Sequence, residues 1–183
     1  MLDSVAIRER VCRTMERSSV IDIAMECLSA GAGDYDPEEW QHCQRVEKLC
    51  AMTAKELGWS QAEIADLRTT ALLHHVDPSE IPESALSHRV AGYLTEFNRR
   101  TTEPVARLRV SDRGRSAEGA SLIALADTFD RLVSNQRYRR SLSQSNAIEI
   151  LRYDAETGFD KAAVEAFCRA CAEESDTLQR KAA

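Results

Sequence analysis

Three of the four histidines in this 183-residue chain could share one site with an aspartate. His74 and His75 end an apolar, helix-like run, His42 lies upstream, and Asp127 lies inside an apolar stretch downstream. Imidazole and carboxylate groups are the usual ligands of hydrolytic metal sites. Taken alone, His42 and His74 could equally be an ordinary surface and an ordinary helix-end histidine. Asp127 needs a partner or a ligand most, because a lone carboxylate in apolar surroundings is costly.

The sequence around each candidate ligand follows the motifs of one family in order. Positions 72–82 (LLHHVDPSEIP) resemble the LLHDIGKIGIP segment of HD-GYP domains, the cyclic-di-GMP phosphodiesterase branch of the HD phosphohydrolase superfamily. Positions 42–46 (HCQRV) resemble its HSxRV element, and positions 123–132 (IALADTFDRL) its IVAVADTFDAL element. The resemblance runs from about residue 20 to residue 167. It implies an all-α, HD-type helical bundle.

Several departures from the family pattern bear on activity. His75 stands where the family has the aspartate of its HD pair, and Pro78 stands where it has a lysine. Neither a His-His pair nor the GYP signature occurs after position 75, and the stretch 88–120 is shorter than the family's by roughly one or two average helices. An imidazole offers one nitrogen to one ion, so His75 cannot bridge two metals as a carboxylate does. The resemblance therefore implies a degenerate member.

Two functions of different classes follow from this resemblance. The first is a catalytically impaired HD-GYP-like signalling module that acts by protein–protein interaction or ligand sensing in bacterial signal transduction. The alternative is a metal-dependent phosphohydrolase or phosphodiesterase, acting on cyclic di-GMP or another phosphate ester through a reduced, His-rich centre. The first needs no cofactor. The second implies one transition metal (Fe, Zn, Ni or Mn) held by His42, His74, His75 and Asp127. A third possibility is a helical effector domain that dimerises through its N-terminal segment.

Composition limits the partners. The net charge of −6 argues against nucleic acid and anionic membranes as partners. No apolar run reaches the roughly 18–20 residues of a membrane span, and the N-terminus lacks the apolar core of a secretory signal. We therefore expect a cytoplasmic protein whose partner is another protein or a second copy of itself. The six cysteines are expected to be buried, reduced thiols, including the C-x-x-C pair Cys168 and Cys171.

The hydrophobic periodicity is helical throughout and divides the chain into an N-terminal helical extension, residues 1–35, and a helical HD-GYP-like domain, residues 36–183. Helices are predicted from a cap at Asp36 to Gly58, over 83–100 and over 116–133. Ser60 and Glu63 form a predicted capping box, and Ser143 and Asp160 are predicted caps. The apolar side chains expected to fill the space beside the shortened stretch are Tyr93, Leu94 and Phe97.

Overall fold

A computed structural model of the chain describes residues 37–76, 81, 86–102, 114–135, 140–155 and 159–182, the last eight by their backbone alone. Within these ranges all regular structure is helical. The prediction of an all-α fold is confirmed, and the arrangement is consistent with an HD-type helical bundle. The N-terminal extension predicted over 1–35 lies outside the described residues, so the two-part division stays a prediction. The helices are α1 (Pro37–Glu56), α2 (Gln61–Leu73), α3 (His88–Thr102), α4 (Arg115–Val133), α5 (Gln144–Asp154) and α6 (Lys161–Ala182).

Helix α1 lies at the centre of the packing and contacts α2, α4 and α6. Val46, Cys50 and Ala54 lie on one face of this helix because they are four residues apart. This apolar stripe is fully buried. Helix α4 buries Leu122 and Leu125 and also contacts α3 and α5. A shared hydrophobic core therefore fixes α1 and α4 against each other.

Local sequence signals set the helix ends as predicted. Ser60 and Glu63 form the capping box that begins α2, with each side chain bound to the other's backbone N–H. The Ser143 hydroxyl caps α5, and the Asp160 carboxylate accepts a hydrogen bond of 2.9 Å from the backbone of Ala163 at the start of α6. Gly58 follows the end of α1 with a φ of 73°, a left-handed conformation that favours glycine.

Helix α3 begins later than predicted, at His88 rather than at residue 83, although residues 83–85 are not described. The Ser87 hydroxyl accepts a hydrogen bond from the backbone N–H of Val90 and caps the helix, a role that the sequence pattern had not indicated. Tyr93, Leu94 and Phe97 are buried, as predicted.

The cysteine prediction is confirmed for Cys43, Cys50, Cys168 and Cys171, which are buried and free. Cys12 and Cys27 lie outside the described residues. No helix in the described part of the chain is both long enough and apolar enough to cross a membrane.

Candidate metal centre

The structure brings all four candidate ligands together. His42 comes from the second turn of α1, His74 and His75 follow the last turn of α2, and Asp127 comes from the middle of α4. Each offers one nitrogen or oxygen atom, and these atoms lie within 4.8 Å of one another. The described residues contain no other group of three or more such side chains at this spacing. The motifs thus meet in space, and binding of a metal by them stays a prediction.

Each of the three imidazoles is held by a protein acceptor at its Nδ1. His42 Nδ1 lies 2.8 Å from Asp130 Oδ2, His74 Nδ1 lies 2.6 Å from the Ala71 carbonyl oxygen, and His75 Nδ1 contacts Glu39 Oε1. A carbonyl or an ionised carboxylate only accepts hydrogen bonds, so each Nδ1 donates. The Nε2 atoms of His42 and His74 then face Asp127, and His75 Nε2 lies beside Arg131. This is how metal-binding histidines are held, with the second nitrogen fixed by a protein acceptor.

Two of these Nε2 atoms have no hydrogen-bond partner. His42 Nε2 and His74 Nε2 are both buried and both unsatisfied. His42 Nε2 does lie 3.1 Å from Asp127 Oδ1, and His74 Nε2 lies 3.9 Å from the same oxygen. The first contact has the distance of a hydrogen bond without its alignment, and the second is too long. Buried polar atoms without a partner are rare and need an explanation, such as an ion that binds them.

Asp127 is the charged centre of the cluster. Burial alone would raise the pKa of its carboxyl, but His42, His74 and Arg131 outweigh burial and hold the pKa far below its usual range. Arg131 Nε donates to Asp127 Oδ1 at 2.7 Å. The carboxylate is therefore ionised near neutral pH, and the cost of placing it among apolar residues is offset by its partners.

The protonation states of the histidines differ. Burial would lower the pKa of His42, but the carboxylates of Asp127 and Asp130 reverse that effect and raise it to about 9. Burial, together with the neighbouring imidazoles of His74 and His42, lowers the pKa of His75 to about 3. His75 is therefore a neutral nitrogen donor, whereas His42 carries a proton that a metal ion would have to replace.

One side of the cluster is closed and another is open. Phe97 meets the His74 ring edge-on, with the centroids 5.5 Å apart, and the His74 side chain is completely buried. His75 has an exposed backbone, while its imidazole is only 23% exposed. Access from solvent is therefore by way of His75 and Asp127.

Sequence reasoning missed the residues that orient these ligands. Asp130 is almost fully buried and accepts two hydrogen bonds from Arg45, of 2.6 and 2.9 Å. Glu39 and Arg131 contact the two nitrogens of His75. Helical spacing was the available signal, because Glu39 lies three residues before His42 and Asp130 three residues after Asp127, each pair on one helix face.

The donor set fits a transition metal ion. Three imidazole nitrogens and one carboxylate oxygen suit iron, zinc, nickel or manganese better than magnesium, which prefers oxygen ligands. The two unsatisfied Nε2 atoms are the structural observation that supports this fit.

The chain is also distantly similar to a known phosphodiesterase. No family model matches the chain. It is 29% identical over 150 residues to the 3'3'-cGAMP-specific phosphodiesterase 1 of Vibrio cholerae serotype O1, a match that covers 65% of this chain and 34% of that protein. The chain thus spans about a third of the length of this relative. The similarity is thus to part of a phosphodiesterase that acts on a cyclic dinucleotide, and the loss of activity implied by the sequence departures stays a prediction.

Proposed function

We propose that the chain is a metal-dependent phosphodiesterase domain that acts on a phosphodiester of the cyclic-dinucleotide class through a single transition metal ion. The observation that carries this proposal is the set of three imidazoles, each fixed through Nδ1, that lie with Asp127 in one group whose ligand atoms are within 4.8 Å of one another. The activity in the relative's name supports the substrate class. Among the functions considered from the sequence, these observations favour the hydrolytic alternative.

The roles of the residues follow from their contacts. His42, His74, His75 and Asp127 would hold the ion, which when bound supplies Lewis-acid polarisation of a phosphoryl oxygen. Asp130 and Glu39 keep two of the rings oriented. Phe97 covers the inner side of His74 and limits entry of water there. The substrate would approach from the open side, beside His75 and Asp127.

The impaired signalling module remains a second candidate, supported by a specific observation. Both nitrogens of His75 and one oxygen of Asp127 already have protein partners, Glu39 and Arg131. In that case the cluster would be a structural ion-pair network without metal. The domain would then act by ligand sensing or by contact with a protein partner or a second copy of itself, and a cytoplasmic location is part of either proposal.

Metal content and turnover separate the two candidates. The purified chain would be analysed for bound metal after reconstitution with manganese, iron, zinc or nickel, and assayed with bis(p-nitrophenyl) phosphate, cyclic di-GMP and 3'3'-cGAMP. We expect stoichiometric metal and slow, metal-dependent hydrolysis. The His74→Ala variant should lose both, and His88→Ala, which changes an exposed histidine on α3, should lose neither. A folded wild-type protein that shows no turnover with any of these metals would favour the signalling module.

A further inference from the structure

Arg131 holds an unusual position at the mouth of the cluster. Its Nε donates to Asp127 Oδ1 at 2.7 Å, and its Nη2 lies 3.1 Å from His75 Nε2. It follows Asp127 by one turn of α4, and its side chain is 52% exposed. The guanidinium therefore touches two of the four candidate ligands from the side that is open to solvent.

Arg45, a second arginine near the site, supports a residue that orients one of the candidate ligands. It binds Asp130 through two hydrogen bonds and reaches Ser134. Asp130 in turn holds His42 by Nδ1, the nitrogen that faces away from the other ligands. Arg45 is thus connected to the candidate ligands through Asp130, whereas Arg131 contacts two of them directly.

Arg131 could not keep all of its observed contacts if a metal ion were bound. His75 has one lone pair, at Nε2, because its Nδ1 donates to Glu39 and because a guanidinium such as Arg131 can only donate to Nε2. That lone pair accepts from Arg131 in this structure and would be given to the ion in the loaded site. The two cations would also repel each other at Asp127 Oδ1. The exposed guanidinium would therefore leave His75 when metal binds. Because Arg131 is on α4, it would stay close to the solvent-accessible side of the cluster, beside Asp127.

We propose that Arg131 is the phosphate-binding residue of this site and that it rests on Asp127 and His75 when metal and substrate are absent. The proposal rests on the proposed function, because it assumes a metal-loaded site. A guanidinium presents two parallel N–H groups that match two phosphate oxygens, a geometry that neither lysine nor glutamine reproduces. Asp127 and His75 occupy this fork in the resting state, and a phosphodiester would occupy it in the loaded state.

The test measures anion binding as well as activity. Zinc-loaded wild-type protein and its Arg131→Gln and Arg131→Lys variants would be titrated with inorganic phosphate and with dimethyl phosphate by calorimetry. The matched control is Arg169→Gln, which changes an arginine that is 57% exposed and paired with Glu56, the last residue of α1, at the end of the helix away from His42. Circular dichroism would confirm folding, which we expect to be retained because His42 and the bound zinc ion would remain beside Asp127 in the variants.

We expect Arg131→Gln to weaken binding of both anions by roughly tenfold or more, the effect of losing a charge-assisted hydrogen bond. Arg131→Lys should recover part of the loss, and Arg169→Gln should have no effect. Zinc affinity should be unchanged or higher in Arg131→Gln, because the guanidinium no longer competes for Asp127 and His75. Unchanged anion affinity in Arg131→Gln would overturn the proposal, as would weaker zinc binding, which would make Arg131 a structural support.

These outcomes separate this inference from the proposed function. Hydrolysis by the wild type with unchanged anion affinity in Arg131→Gln rejects the role of Arg131 alone. Loss of anion binding in Arg131→Gln, in a zinc-loaded protein that hydrolyses none of the three substrates, supports the role of Arg131 and rejects the phosphodiesterase. A wild-type protein that takes up no metal overturns both.

Discussion

His42 is oriented by Asp130, whose Oδ2 lies 2.8 Å from His42 Nδ1 on the side of the ring away from the other ligands. The same carboxylate binds Arg45, so the buried pair His42 and Asp130 is connected to an arginine that reaches solvent. Asp130 thereby keeps a proton on His42 Nδ1 and fixes the direction of its Nε2. The geometry of the site thus depends on a residue that would not itself touch the metal.

Replacing Asp130 by asparagine should weaken metal binding without unfolding the protein. Asparagine has nearly the same shape, but as a neutral group it cannot hold His42 and Arg45 as strongly. Loss of such a supporting carboxylate typically lowers metal affinity by about 10–100-fold. Competition with a chromophoric chelator would measure the change. Asp66→Asn is the control, because Asp66 pairs with Ser87 and Arg89 away from the site, and equal affinities in the two variants would contradict the prediction.

Metal uptake should depend on pH because of His42. Its raised pKa of about 9 means that the metal-free site carries a proton at neutral pH, and metal binding must release it. Affinity should therefore rise with pH up to about 9, by at most about tenfold per pH unit. Calorimetry in buffers with different ionisation enthalpies would show the proton release directly. A pH-independent affinity between 6.5 and 9 would mean that His42 is already neutral.

The same group should shape the stability of the metal-free protein. The pKa of His42 lies above its ordinary value of 6.5, so protonation favours the folded state. This contribution is fully present below pH 6.5 and is lost as the pH rises through about 9. The melting temperature should therefore fall over that interval, and His42→Gln should remove this part of the pH dependence. A wild-type melting temperature that stays constant over that interval would show that the carboxylates do not stabilise His42 in its protonated form.

Part of the site was predictable from the sequence because its signals are local. His42, His74 and Asp127 are chemically distinctive residues inside motifs that keep their order, and Ser60 with Glu63 form a cap within four residues of chain. The orientation of the rings was not predictable in the same way. It depends on the Ala71 carbonyl, which has no sequence signature, and on Glu39 meeting His75 across two helices. Arg131 could be placed only once α2 and α4 were positioned in three dimensions.

The buried thiols should be unreactive in the folded state. Burial raises the pKa of Cys43 to about 12, with a further contribution from nearby carboxylates, and burial likewise raises that of Cys171 to about 12. Only roughly one thiol in ten thousand is then ionised near pH 8, and the thiolate is the reactive form. A Cys12→Ser, Cys27→Ser double variant would leave only the four described thiols for titration with Ellman's reagent. Rapid labelling before denaturant is added would contradict their burial.

Close packing of α3 on α4 should make Gly119 intolerant of a side chain. A Cβ at this position would lie 2.7 Å from two ring carbons of Tyr93, a distance that real Cβ contacts do not show. Tyr93 is fully buried, and its ring lies 6.4 Å from that of Trp59, so it has little room to retreat. Alanine would gain about 1 kcal/mol in helix propensity, but overpacking costs about 1–3 kcal/mol. We therefore expect Gly119→Ala to lower the melting temperature.

The exposed Gly114 provides the control for this substitution, since a Cβ there meets nothing within 4 Å. Gly114→Ala should cost less than Gly119→Ala. Because Phe97 lies one turn after Tyr93 and packs against His74, displacement of α3 in Gly119→Ala should also disturb the wall of the candidate metal centre. Metal affinity should then fall in Gly119→Ala and remain at the wild-type level in Gly114→Ala. A Gly119→Ala protein as stable as the wild type would mean that α3 and α4 can separate without cost, and that Phe97 does not rigidly enclose His74.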